Sequence, residues 1–134
     1  MRQKPQTSSD GELIEPNVHD ARLNGILLRG KDVVIELETA EGEPLKLVLI
    51  GVQRLVADGF REGNIVLDVA VVTGSSVDVR DVAAAYGVKP EGQQFLSQAI
   101  DHVVKGALAV VTLNPSYGCS LVALCERVEV EHTA

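Results

Sequence analysis

The residues of this chain that could do chemistry are few and scattered. His19 and Asp20 stand side by side just ahead of an apolar alternation. Glu36, Glu38, Glu41 and Glu43 form an acidic run, and Cys119 and Cys125 lie six apart near the C-terminus. An adjacent His-Asp pair is the kind of group that ligates a divalent metal in phosphohydrolases, but such a centre needs at least a third ligand. The other histidines are His102, on an amphipathic segment, and His132, near the C-terminus, and nothing in their spacing brings them to His19. The reading that asks least of the chain is structural: His19 or Asp20 satisfies backbone donors where a first strand begins. A binding role for the pair, or a small metal-dependent hydrolase built on it, are the alternatives.

The remaining nucleophiles sit in the wrong surroundings. Ser75 and Ser76, in "TGSSVD", precede a helix, where capping accounts for them, and neither lies in a G-x-S-x-G elbow. The same stretch lacks the G-K-[ST] end of a phosphate-binding loop. Cys125 falls in mid-strand, away from any helix N-terminus that would lower its pKa. Along an extended segment the two cysteines are roughly 20 Å apart, against the about 7 Å that a disulfide tolerates. They are expected to be reduced and buried, as in a cytoplasmic protein. The glutamates could act as catalytic carboxylates only in opposed pairs across a cleft; as a solvated strand face they need nothing more. No catalytic residue, metal site or cofactor is therefore expected, and the chain reads as non-enzymatic.

The elements that carry these residues follow from composition and period. A chain of 134 residues fits one domain, and 46% hydrophobic residues supply an ample core. With only 3% aromatics, that core must be built of Val, Leu, Ile and Ala. Nineteen acidic residues against twelve basic ones give a net charge of −7, which leaves no general attraction to nucleic acid or anionic lipid. No apolar run approaches the ~18 residues of a membrane span. The opening "MRQKPQTSSDGELIEPN" has no signal-peptide h-region. Residues 1–17 read as a flexible tail, and residues 18–134 as a single domain in the cytoplasm.

From Ala21 the period is two: Val33, Ile35 and Leu37 alternate with Glu36 and Glu38, and Leu45, Leu47 and Leu49 follow after a turn. This predicts a three-stranded meander. "GVQRLVADGFREGN" reads as irregular, and "NIVLDVAVVTG" as a central strand covered on both faces. Asp78 is the expected N-cap of a helix stopped at Gly87, and a second helix is expected near 91–105, with Pro90 in its first turn. "NPSYG" joins two further strands as a hairpin. On the last of them Val122, Leu124, Val128 and Val130 should share one face, and Cys119, Leu121, Ala123 and Cys125 the other. The predicted class is α+β: an antiparallel sheet of about six strands, with one or two helices between the fourth and fifth strands packed on it.

Taken together, "VHDARLNGILL", "LKLVLIGVQRL", "NIVLDV" and "NPSYGCSLVALCERVEV" carry a resemblance. The order resembles small bacterial proteins with a His-Asp-Ala signature leading into a β-meander, some of them grouped as immunity proteins of polymorphic toxin systems (the family called immunity protein fifty). The likeness spans about residues 18–73 and 112–130. It departs from the pattern at Val18, where the family often has an aromatic, and in lacking a Trp. The resemblance carries over His19, Asp20 and Ala21 as the signature and Ser116, Tyr117 and Gly118 as the hairpin, and implies catalysis for none of them. The resulting expectation is a protein-interaction domain that binds a basic toxin through an acidic surface. Its candidate binding residues are His19, Asp20, Glu36, Glu38 and Tyr117. A small-ligand-binding domain is a further alternative. Self-association as a two-fold dimer is also expected, because the apolar strands exceed what short helices can cover and residues 119–130 look like an edge.

Overall fold

The computed structural model describes residues 2–132. Among them, eight strands come first: β1 (Arg2–Gln3), β2 (Gln6–Thr7), β3 (Leu13–Glu15), β4 (Arg22–Arg29), β5 (Asp32–Glu38), β6 (Pro44–Ile50), β7 (Arg54–Asp58) and β8 (Asn64–Val72). Helices α1 (Val79–Ala85) and α2 (Leu96–Val104) follow, and then β9 (Ala109–Tyr117), β10 (Ser120–Cys125) and β11 (Arg127–His132). Nine strands form one antiparallel sheet in the order β1-β11-β6-β5-β4-β8-β9-β10-β7, and β2 and β3 pair separately. The chain is thus mostly antiparallel β. The predicted α+β sheet of about six strands is overturned, and the helices lie after the eighth strand rather than the fourth. The undercount has identifiable sources. "GVQRLVADGF" contains β7, and the C-terminal run divides into β10 and β11 at Glu126. The first seventeen residues, read from sequence as a tail, carry three short strands, with β1 paired to β11 and Glu12 bridged to Ala70.

The meander of β4, β5 and β6 forms as its period dictates, with Leu37 opposite Leu45 and Ile35 opposite Leu47. The sheet then curls until its two halves face each other. β6 runs on into β7 and β10 into β11, yet β6 pairs with β11 while β7 pairs with β10 at the far end of the strand order. Backbone bonds carry the ladder through the corner: Gln53 N–H donates to Leu124 O and Glu126 N–H to Ile50 O, both at 2.8 Å. Residues 119–130, predicted as an edge, are therefore flanked on both sides.

Two cores result. Val33, Ile35, Leu37, Leu47, Val66, Val69, Val111, Leu113, Leu121 and both cysteines fill the inside of the curl. The outward Val110 and Leu124 meet Val82, Ala83, Leu96 and Val103 of the two helices. Each such Val or Leu contributes about 1.5–3 kcal/mol by leaving water. The predicted sharing of a face by Leu124 and Val128 fails at Glu126. One extra residue at the corner reverses the period-two parity, so Val128 and Val130 join the inner core while Leu124 stays outside. β8 is central, but it is only partly covered on its outer face, with Leu67 43% exposed at a bulge. Helix α1 is capped as expected: the Asp78 carboxylate accepts from Arg80 N–H at 2.9 Å, and Gly87 follows at φ 72°. The second helix begins only at Leu96, because Gly92 at φ 73° breaks the path after Pro90.

Candidate functional site

The segments that the sequence singles out separately meet in space. Asn17 Oδ1 accepts from His19 N–H at 3.0 Å, and Asp20 N–H donates to Val66 O at 2.9 Å. The His19 ring places Nδ1 2.9 Å from the Leu67 carbonyl, and Nε2 3.6 Å from Asp20 Oδ2. Two residues further along β8 from Val66, the Asp68 carboxylate accepts from the Asn114 amide of β9 at 2.7 Å. The "VHDA", "NIVLD" and "NPSYGC" stretches thus form one joint that closes β4 onto β8 and β8 onto β9. The expectation that His19 or Asp20 satisfies backbone donors needs one correction. Asn17 takes that part, and the Asp20 carboxylate accepts no backbone hydrogen bond among the described residues. Asp20 contributes its backbone instead, in the left-handed region at φ 63°, which Asp tolerates better than most residues.

The sequence reading missed the centre of this joint. Asn64 is the one buried polar side chain among the described residues, at 1% exposure. Its Oδ1 accepts from Arg61 N–H at 2.8 Å and from Cys119 N–H at 3.0 Å. Its Nδ2 donates to the Leu23 carbonyl at 3.2 Å and to that of Arg61. Four bonds therefore tie β4, the turn before β8 and the β9–β10 turn to one amide. Gly118, at φ 88°, lies so close that an added Cβ would collide with that amide. A signal was available: a lone Asn opening the apolar run "NIVL" has to find partners if the run is buried.

The remaining candidates lie on the outer surface. Register sets Glu38, Arg22, Ile65 and Tyr117 in one row across β5, β4, β8 and β9. At about 4.8 Å per strand spacing, Glu38 and Tyr117 are roughly 14 Å apart, too far to hold one small molecule together. Glu36 faces Lys46 in register, and the ladder continues from Lys46 to Glu131 (4.0 Å) and from Glu131 to Arg2 (3.4 Å). Glu36 and Glu38 line a concavity of about 430 Å³ with Asn24, Leu37, Pro44, Leu45 and Lys46. Next to it, sharing Pro44 and Leu45, is one of about 170 Å³ bordered by Glu15, Glu41, Glu43 and His132. A cleft of about 530 Å³ lies elsewhere, under residues 2–7, with Arg2, Lys4 and Arg127 around Val71, Ala109 and Val128.

Electrostatics limits what the His19 corner can do. The bond to the Leu67 carbonyl raises the His19 pKa above its ordinary value, and Asp20, Asp68 and Glu12 add to this. The ring is 58% exposed and lines none of the clefts described above, so no substrate is enclosed around it. No cluster of three or more His, Cys, Asp or Glu side chains among the described residues could hold a metal ion. Cys119 and Cys125 are free and buried, and burial pushes the Cys125 thiol up to about 12, the opposite of an activated nucleophile. No helix among the described residues is long and apolar enough to cross a membrane. No protein-family model, no curated protein and no solved structure matches the chain.

Proposed function

We propose that the chain is a non-enzymatic protein-interaction domain of the immunity type, acting in the cytoplasm, that binds a basic protein such as a toxin on the acidic face around the β5–β6 turn. One observation carries this reading: Glu15, Glu36, Glu38, Glu41 and Glu43 border two adjoining concavities that share Pro44 and Leu45, with Lys46 as the only Lys or Arg in their lining. Concave acidic surfaces steer cationic partners and raise association rates, and that gain falls with salt. The resemblance of the His-Asp-Ala and hairpin segments to immunity proteins points the same way. Affinity capture from the native host is the test, run in parallel with wild-type protein and a Glu38→Lys/Glu41→Lys/Glu43→Lys variant. The captured protein should be basic. Once purified, it should bind the wild type with an association rate that drops about tenfold or more from low to high salt, and should bind the variant far more weakly. Equal binding to both forms would end the reading.

The cleft of about 530 Å³ favours a second reading, a small-ligand-binding domain. Its volume lies within the range of small-molecule sites. Glu126 and Glu129 share its rim and Glu129 pairs with Arg2 and Arg127, so Lys4, above the apolar floor, is the cation left to meet a small organic anion. A thermal-shift screen of small carboxylates and phosphates, repeated on Lys4→Glu, separates this reading from the first. A small hydrolase on His19–Asp20 draws no such support, because the pair has no third ligand and no enclosed cleft among the described residues.

A further inference from the structure

Sheets rarely leave a long edge strand bare, because its unpaired backbone groups recruit other strands. The two terminal strands of this sheet differ in that respect. β1 has two residues. β7 has five, pairs with β10 on one side without a bulge, and has no strand partner on the other among the described residues. It has no Pro, no Lys and no irregularity, and its only charges are Arg54 and Asp58, one at each end. Arg54, Val56, Ala57 and Asp58 are exposed, and Leu55 is half-buried.

The sequence of this edge, Arg-Leu-Val-Ala-Asp, is complementary to its own reverse. We propose that β7 pairs antiparallel with β7 of a second copy of the chain, about a two-fold axis through Val56. In that register Arg54 faces Asp58 of the other copy twice, Leu55 faces Ala57, and the two Val56 side chains meet on the axis. Arg54 and Asp58 are left without ion pairs within the chain among the described residues. The Arg54 guanidinium is already held at the edge, 4.9 Å from the centre of the Tyr86 ring. Opposite charges directly across an antiparallel pair stabilise it, and like charges oppose it. A parallel arrangement would set Arg54 against Arg54 and Asp58 against Asp58, so charge selects the antiparallel one. The exposed Phe60, two residues past the strand, extends the apolar strip that a second copy would cover. The contact uses none of the carboxylates around the β5–β6 turn, so it stands or falls apart from the acidic-face reading.

The test is a charge swap read by sedimentation equilibrium at micromolar concentration. Wild-type protein should sediment at twice 14.3 kDa. Arg54→Asp makes the edge wholly acidic and Asp58→Arg makes it wholly basic, and each should weaken self-association about tenfold or more. The double variant Arg54→Asp/Asp58→Arg restores opposite charges across the axis and should dimerise like wild type. An equimolar mixture of the two single variants should form a heterodimer, a result that misfolding of either could not produce. A wild-type monomer, single variants that remain dimeric, or single variants that fail to associate when mixed would each overturn the proposal.

Discussion

Two polar groups hold the same pair of segments together, and they do so very differently. Asn64 and His19 both fasten the chain around β4 to β8, Asn64 through the Leu23 carbonyl and His19 through the Leu67 carbonyl. Asn64 is 1% exposed and makes four hydrogen bonds, of which those to the Leu23 carbonyl and from Cys119 N–H are buried, with no water to replace them. The His19 and Asp20 side chains are 58% and 63% exposed, and solvent can take over any bond they lose. Breaking a buried bond strands its partner, whereas breaking an exposed one merely exchanges it. The less reactive of the two side chains should therefore matter more to the fold.

Replacing Asn64 gives the largest expected effect. Asn64→Leu leaves the buried Cys119 N–H and Leu23 carbonyl without this partner, at about 1–3 kcal/mol each, while the part-buried Arg61 N–H can turn to solvent. A loss of about 3–5 kcal/mol is expected in urea denaturation, enough to unfold much of a marginally stable population. Asn64→Asp keeps the acceptor for both N–H groups but sets its second oxygen against the Leu23 and Arg61 carbonyls, so its loss should shrink as the pH falls and the carboxyl protonates. If Asn64→Leu cost no more than His19→Leu, the contrast would collapse. Next in size is Gly118→Ala, which combines a left-handed φ of 88° with a collision against the Asn64 amide and should cost about 2–3 kcal/mol. Gly42→Ala is the control: its φ of 85° carries similar backbone strain, but a Cβ there meets nothing within 4 Å, so about 1 kcal/mol is expected. Equal losses at the two glycines would mean that the contact with Asn64 is unimportant.

How far this joint can be read from sequence follows from the same contrast. Period-two alternation marks β5 and β6, where Val33, Ile35, Leu37, Leu45, Leu47 and Leu49 are buried and Glu36, Glu38 and Lys46 fall between them, and Asp78 with Gly87 marks α1 by local chemistry alone. β7 escapes because four of its five residues are exposed, which erases the alternation. The corner at Glu126 escapes because a one-residue bulge changes parity without changing composition. His19 and Asp20 are conspicuous as residue types, but the burial of Asn64 depends on the β9–β10 turn, which is some fifty residues away in sequence. Long-range closure of that kind has no local signal.

Thiol labelling sharpens the comparison locally. Cys119 N–H is held by Asn64, while Cys125 lies at the far end of β10 near the corner. Burial raises both thiols, so both should react slowly with an alkylating reagent in the native wild type and rapidly in denaturant. In Asn64→Asp, which loses its donation to Leu23, the joint should open more often, so Cys119 should gain reactivity more than Cys125. Equal acceleration of the two would point to global unfolding and not to a joint centred on Asn64.

The smallest effects belong to the exposed pair, and there sign tells more than size. His19 has a folded pKa raised by its bond to the Leu67 carbonyl and by nearby carboxylates. Its contribution is therefore fully present below the unfolded value of about 6.5 and is lost as pH rises through the raised folded value. Denaturation midpoints measured from about pH 6 to pH 8 should fall slightly more in wild type than in His19→Gln, which cannot titrate. At Asp20 the backbone matters and the carboxylate hardly does. Asp20→Asn keeps the tolerance of φ 63° and should be near neutral, whereas Asp20→Val places a β-branched residue in the left-handed region and should cost about 1–2 kcal/mol. If Asp20→Asn were as damaging as Asp20→Val, the carboxylate itself would be at work, and this corner would have to be reconsidered as a binding site.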